Sequence, residues 1–285
     1  MKNLFKAFIF KLRKDLTFRV TLIVGGALAI GLSVLLFVID LGTKNLGGEE
    51  LKMCSGQGLF VFSLSPAQNF GIAVPINLIT FTVLEFTQGT IRNKIITGNS
   101  KTKIYFSLIL SGIVFTLLLM GSYIGLCVAL GSIFGGFDAN GTVLGGLMGT
   151  VTPDFLWKVG VLALLAYLFI AVATIFCATL FRNIGPCIPI VIILIMICYF
   201  GGLAGSVFDS LGALFGDGVK TFLTILKYIN PLHSLGASIL PTGSGDSTEL
   251  AINTTDFWIE FVNNFIYIAL FTVGGWLLFR KRDVK

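Results

Sequence analysis

The sequence has little charge for its length. Only 12% of its 285 residues are Asp, Glu, Lys or Arg, whereas 55% are hydrophobic. Soluble globular domains contain about 25% charged residues, so this chain has too few charges to coat a water-soluble globule. The composition argues against a soluble enzyme and a disordered tail, and it predicts an integral membrane protein.

Cysteine and histidine are also scarce. The five cysteines are odd in number and too few for a disulfide framework. Four of them stand inside apolar runs, and only Cys54 lies in a polar segment. The single histidine, His233, has no partner at a ligand spacing. The chain is therefore predicted to hold neither a metal nor a cofactor.

Six apolar stretches are long enough to cross a bilayer, which requires about 20 residues. We predict an all-α integral membrane protein that forms one transmembrane domain, residues 1–285. The predicted spans are 20–41, 59–84, 104–134, 155–181, 184–207 and 257–279.

The basic residues predict the orientation of these spans. Fifteen of the 20 Lys and Arg residues lie in the segments 1–19, 85–103, 182–183 and 280–285. An even number of predicted spans separates any two of these segments, so all four lie on the same side of the membrane. Cytoplasmic loops carry the excess of Lys and Arg, so both termini are predicted to be cytoplasmic. The net charge of +6 is then explained by contact with anionic lipid, and no nucleic-acid partner is expected.

The predicted spans lack an ionisable residue near their centres. Asp40, Glu85, Lys158 and Glu260 all fall within a turn or two of a span end. Transporters driven by protons or ions carry such groups at mid-depth. If this chain moves a solute uphill, another polypeptide must supply the energy.

The chain is not predicted to hydrolyse ATP itself. The segment 98–102 is similar to the end of a phosphate-binding loop, but Ser100 stands where glycine must precede the lysine, and Ile95 replaces the first glycine. We expect no catalytic residue in this chain.

The segment between the second and third predicted spans has a distinctive pattern. Glu85 is predicted at the membrane surface, and a short helix follows it. Ile91 and Ile95, with Ile96 beside them, are predicted on one face of this helix, and Arg92 and Lys94 lie off that face. Such a helix could dock into a groove of a soluble partner. A membrane-surface loop that only satisfies the positive-inside rule is the alternative.

The order of residues in this segment resembles the permease subunits of the ABC-2 transporter family. The resemblance rests on a glutamate that closes the second span, then Gly-Thr-Ile-Arg at 89–92, and a Ser-Lys turn at 100–101, where many members have Ser-Arg. It implies a bacterial plasma-membrane protein whose 85–103 segment is a cytoplasmic coupling loop that contains a coupling helix. The implied coupling residues are Glu85, Gly89, Thr90, Ile91, Arg92, Lys94 and Ile95.

The resemblance also implies partners. Two cytosolic ABC ATPase subunits would bind ATP and Mg, and a second permease subunit, identical or homologous, would complete the pathway. Residues 1–19, with helical apolar spacing and a basic face, predict an interface helix; it either flanks the ATPase contact or only anchors the chain to lipid. The segment 208–256 is expected to form short helices on the outer side.

Polar residues within the spans are the candidates for a substrate pathway. Amides in spans serve either to join helices or to line a path, and both readings stay open here. The candidates are Asn69, Asn77, Thr80, Thr116, Ser122 and Tyr123.

The sequence thus predicts the permease of an ATP-driven exporter of an amphiphilic substrate, such as an antimicrobial-type peptide or a drug. An ion-extruding permease of the same family is one alternative. A membrane scaffold or passive channel without an ATPase is another.

Overall fold

The computed structural model describes residues 2–45, 54–64, 73–137, 150–203, 217–232, 249–250 and 252–281. These residues form helices and one pair of two-residue strands. The helices are α1 (Lys2–Lys14), α2 (Leu16–Asn45), α3 (Gly56–Leu64), α4 (Ala73–Thr87), α5 (Thr90–Ile96), α6 (Lys101–Gly135), α7 (Pro153–Phe181), α8 (Ile184–Leu203), α9 (Asp217–Ile229) and α10 (Thr254–Lys281). Strand β1 (Thr150–Val151) pairs in parallel with β2 (Glu249–Leu250).

Five helices are long and apolar enough to cross a membrane: α2, α6, α7, α8 and α10. The all-α character and the multi-pass composition predicted from the sequence are therefore confirmed. The stretch predicted as the second span, 59–84, holds two shorter helices, α3 and α4, and residues 65–72 lie outside the described residues. The presence of six spans stays a prediction.

The long helices alternate in direction. Contacts at the end of the bundle that contains Glu85, here called the Glu85 end, join Lys11 of α1 to Glu85 of α4. At the same end Lys101 of α6 donates to the Arg280 carbonyl of α10. The opposite end, here called the Asp154 end, contains the start of α7. Basic residues from segments far apart in the sequence are thereby gathered at the Glu85 end.

Helix α7 is the centre of the bundle and is buried along nearly its whole length. Helix α10 packs along it, and α3, α4, α6 and α8 surround it. Pro153 occupies its first turn, and the Thr152 hydroxyl caps it by accepting from the Phe155 amide at 3.2 Å. Both residue types favour a helix start, because proline there loses no helical hydrogen bond.

Helices α3 and α6 approach each other closely at glycines. A Cβ atom on Gly131 would lie 2.8 Å from the Ser55 carbonyl oxygen, and one on Gly135 would overlap the Cys54 carbonyl oxygen. By contrast, a Cβ on Gly121 or Gly125 would have no described residue outside its own helical turn within 4 Å. The contact between α3 and α6 is thus built on Gly131 and Gly135.

At the Asp154 end, a buried lysine fastens the segment that precedes α10. The Lys158 ammonium lies 2.5 Å from Asp154, and it donates to the Ile252 carbonyl at 3.2 Å. These contacts satisfy a charge that would be costly to bury alone. Lys158 therefore joins α7 to the start of α10.

Candidate functional site

A left-handed glycine makes the turn from α4 into the short helix α5. Gly89 has a φ of 67°, and Gly98, just after α5, has a φ of 86°. Only glycine adopts such angles readily. Between them the Thr90 hydroxyl donates to the Glu85 carbonyl at 2.9 Å, and Ile91 is fully buried. The predicted coupling segment is thus a compact helix that packs back onto α4.

A single carboxylate joins three helices at this point. Glu85 of α4 accepts from Lys94 of α5 at 2.7 Å and from Lys11 of α1 at 3.4 Å. Its side chain is 5% exposed, whereas the two lysines are 25% and 34% exposed. We call Glu85 and these two lysines the Glu85 junction. Sequence reasoning placed Glu85 and Lys94 at the site but missed the role of Lys11.

Aromatic rings surround one side of the Glu85 junction. The Phe8 ring meets the Phe81 ring edge-on at 5.3 Å, and the Lys11 ammonium lies 4.0 Å from the Phe81 centroid. Phe81 in turn packs against Phe115 of α6 at 5.9 Å. Ion pairs are stronger where apolar groups exclude water. The junction therefore combines charge pairing with the apolar packing of α1 on α4.

A second contact at the same end links α4 to the connection between α7 and α8. Arg182 caps α7 with a φ of 55°, and its guanidinium lies 5.6 Å from the Phe86 centroid. Phe86 also packs on Phe279 of α10 at 6.2 Å. Movement of α4 at this end would be transmitted to α7 and α10 through these contacts.

The surface that α5 presents outward differs from the predicted apolar face. Ile91 is buried and Ile95 is partly buried, whereas Ile96 is 72% exposed beside exposed Arg92 and Asn93. Lys94 was expected to lie away from the packing face, but it pairs with Glu85. The group available to a soluble partner is therefore Arg92, Asn93 and Ile96.

The predicted pathway residues lie in different surroundings. Asn69 lies outside the described residues. On α6, Thr116 is buried and Tyr123 is buried, but Ser122 is exposed and donates to the Leu119 carbonyl of its own helix. Thr80 donates to the Ile76 carbonyl at 2.9 Å. Their role as a pathway stays a prediction.

Asn77 joins two helices. Its amide oxygen lies 2.8 Å from the Thr21 hydroxyl of α2, whose single proton is shared with the Thr17 carbonyl, also at 2.8 Å. Its amide nitrogen donates to the Ala73 carbonyl at 2.7 Å. Both hydrogen-bonding groups of the amide are thus engaged within the bundle. This geometry favours the helix-joining reading of Asn77 over the pathway reading.

Replacement of Asn77 and Thr21 should give coupled losses of stability. We expect Asn77→Leu and Thr21→Val each to lower the free energy of unfolding by about 1 kcal/mol. The double variant should lose less than the sum, because each single change already breaks the hydrogen bond between Asn77 and Thr21. Thermal unfolding of the detergent-solubilised wild type, the two single variants and the double variant measures these losses. Thr80→Val, which removes a bond within one helix, is the control. Additive losses would contradict the helix-joining role.

Cys54, the one cysteine in a polar segment of the sequence, is a poor nucleophile. All five cysteines are free, and every one except Cys198 is buried. Burial, together with the charge of Asp40, raises the pKa of the Cys54 thiol to about 11. A thiol reacts through its thiolate, so Cys54 is unreactive near neutral pH. Although Cys54 has polar neighbours in the sequence, its side chain is buried in the structure.

Side chains of α10 hold a bend in the chain that sequence reasoning missed. We call residues 228–232, the last two residues of α9 and the three that follow, the elbow. Asn263 donates to the Tyr228 carbonyl, Tyr267 donates to the Ile229 carbonyl at 2.6 Å, and Asn264 donates to the Pro231 carbonyl at 3.1 Å. The polar residues Asn263, Asn264 and Tyr267 in an apolar span were the available signal. They satisfy backbone groups that have no helical partner.

No family model and no curated protein matches this chain. The resemblance to ABC-2 permeases therefore rests on the 85–101 segment and on the predicted arrangement of the spans.

Proposed function

We propose that this chain is the permease subunit of an ATP-driven ABC-2 exporter in a bacterial plasma membrane. Two cytosolic ABC ATPase subunits would bind the α5 helices of two permease subunits, identical or homologous. ATP binding would bring the ATPases together and tilt the spans through α5, and hydrolysis would reset them. The cargo we propose is amphiphilic, because the interior of the bundle is apolar and carries few charges.

The Glu85 junction is the observation that supports this proposal most directly. It fastens α5 to α4 through the Lys94 ion pair and through buried Ile91. A short helix fastened in this way moves together with the helix that it follows, because packed elements shift as units. At the same time α5 keeps Arg92 and Ile96 exposed for a partner.

The position of charge in the bundle supports an external source of energy. Among the described residues of the five long apolar helices, the charged side chains lie within two turns of a helix end, and Lys158 and Glu260 are the deepest from the Asp154 end. A chain driven by protons or ions would need such groups at mid-depth.

Loss of the outward surface of α5 should abolish ATPase binding. We expect Arg92→Glu and Ile96→Glu to insert normally but to lose the ABC ATPase that co-purifies with the wild-type chain. Both side chains are exposed, so neither change disturbs the core, whereas Ile91→Glu would place a charge inside it. Affinity purification from native membranes with mass spectrometry identifies the bound protein.

Lys103→Glu is the matched control, because Lys103 is an exposed basic residue at the same end but on α6. It should keep the ATPase bound. If all three variants bind equally, α5 is not the coupling helix. If the wild-type chain stably carries no ATPase, a scaffold or passive channel becomes the better assignment.

A further inference from the structure

An apolar cavity of about 320 Å³ lies between α7, α8, α10 and the elbow. Phe169 of α7 and Phe271 of α10 form part of its wall, together with Ile197 of α8 and Ile229 of α9. None of the described residues that line it is charged. Its volume is at the lower end of the range for small-molecule sites.

The polar groups in the wall are already engaged with the protein. Tyr267 donates to the Ile229 carbonyl, and the Asn230 amide donates to the Cys198 carbonyl of α8 while its oxygen accepts from the Leu232 amide. The cavity therefore offers an occupant mostly carbon surface. A ligand with a charged or strongly polar group would lose its hydration there without replacement.

The cavity lies deep in the apolar layer. Tyr267 lies 14 residues before Lys281, the last residue of α10, and Cys198 lies 14 residues after the start of α8. Both of these helix ends are at the Glu85 end of the bundle, so at 1.5 Å per residue each of the two residues lies about 20 Å from that end. The hydrocarbon core of a bilayer is about 30 Å thick, so this is the depth of lipid chains and not of headgroups.

The cavity opens on the outer surface of the bundle. Ile197 is 65% exposed and Ile229 is 55% exposed, and both belong to its wall. We infer that the cavity binds one alkyl chain of a bilayer phospholipid, which enters sideways between α8 and the elbow. This inference requires only that the bundle lies in a membrane, and it holds whether or not the chain is coupled to an ATPase.

Photo-crosslinking tests the occupant directly. The full-length chain is reconstituted in phosphatidylcholine vesicles that contain a trace of phosphatidylcholine with a diazirine near the end of one acyl chain. After illumination, mass spectrometry locates the adducts. We expect adducts on 194–201 and 226–231 at a level several-fold above Ile193, which is 55% exposed on the same helix but outside the cavity wall. Equal labelling of all exposed apolar positions would overturn the inference.

A matched pair of variants separates filling of the cavity from a general change of the surface. Ile197→Trp puts bulk at the mouth and should reduce adducts on 226–231 several-fold, whereas Ile193→Trp, one turn away, should leave them unchanged. Thermal stability and elution volume show that each variant is folded. If Ile197→Trp fails to fold, Leu226→Phe fills the same cavity with a smaller change. Equal labelling in the cavity-filling variant and the control would contradict the inference.

Another occupant gives a different result. A second copy of the chain would give adduct-free segments and chain-to-chain cross-links from a photoreactive residue at position 197. That result would overturn assignment of the cavity to a phospholipid chain.

Discussion

A chain with Glu85→Gln should insert into the membrane but lose most of its export activity. The substitution keeps the size of the side chain and removes the charge that holds Lys94 at 2.7 Å and Lys11 at 3.4 Å. Loss of one partner from a mostly buried charge pair costs about 1–3 kcal/mol. The substitution weakens the attachment of α5 to α4, so α5 should loosen while the spans stay folded.

Two measurements follow the expected change. Hydrogen exchange of the backbone amides in 88–98 should become faster in Glu85→Gln, because opening of α5 becomes easier. Export of cargo from vesicles that contain the assembled transporter should fall, while basal ATP hydrolysis by the ATPase subunits should persist. The first measurement tests the junction by itself, and the second tests its part in the proposed function.

Lys103→Gln is the control for this experiment, because it removes a charge from an exposed position at the same end. It should leave both exchange and export unchanged. The double variant Glu85→Gln with Lys94→Met should lose less than the two single changes together, since both break the same pair. Unchanged exchange in Glu85→Gln would show that the ion pairs do not hold α5.

The Glu85 junction also gives α1 a structural role beyond attachment to lipid. Phe8 and Leu12 are buried against the bundle, and Lys11 reaches Glu85, whereas Ile9 and Phe10 are exposed. An amphipathic helix that only lay in the interface would not need these inward contacts. The geometry allows α1 to face lipid with one side and to brace the α4–α5 turn with the other.

The long helices could be predicted from sequence because continuous apolar character is a local property. Helices α7 and α8 follow directly from long apolar runs, and the short connection at Arg182 ends one and precedes the other. The existence of α5 was also readable, because Gly89 and Gly98 mark its two ends and both adopt positive φ angles. Each of these signals lies within a few residues of the feature that it predicts.

The remaining features depend on contacts between distant segments, and periodicity carries no information about them. Ile91 could be placed on an apolar face, but only the fold shows that this face meets the bundle and leaves Ile96 outside. In the same way, Lys11 and Glu85 are 74 positions apart, and nothing local pairs them. The elbow needs Asn263 and Asn264 opposite a segment more than 30 positions earlier.

Gly135→Ala should produce a large loss of stability in the bundle. The new methyl group would overlap the Cys54 carbonyl oxygen and lie 2.7 Å from the carbonyl carbon, so backbone must move. This is the corner where Asp40 of α2 accepts from the Cys54 amide at 2.8 Å and the Gly56 amide donates to the Gly136 carbonyl at 2.9 Å. Forced overpacking costs about 1–3 kcal/mol and more where only backbone can yield.

Gly121→Ala is the matched control, because Gly121 lies on the same helix and, in the part of the chain that the structure describes, nothing beyond its own helical turn lies within 4 Å of the new methyl group. Alanine is a better helix former than glycine by about 1 kcal/mol, so Gly121→Ala should unfold at the same temperature as the wild type or above it. Gly135→Ala should unfold at a clearly lower temperature and should elute partly as aggregate. Equal melting temperatures for the two variants would mean that α3 and α6 do not meet at Gly135, and the corner that joins α2, α3 and α6 would have to be placed elsewhere.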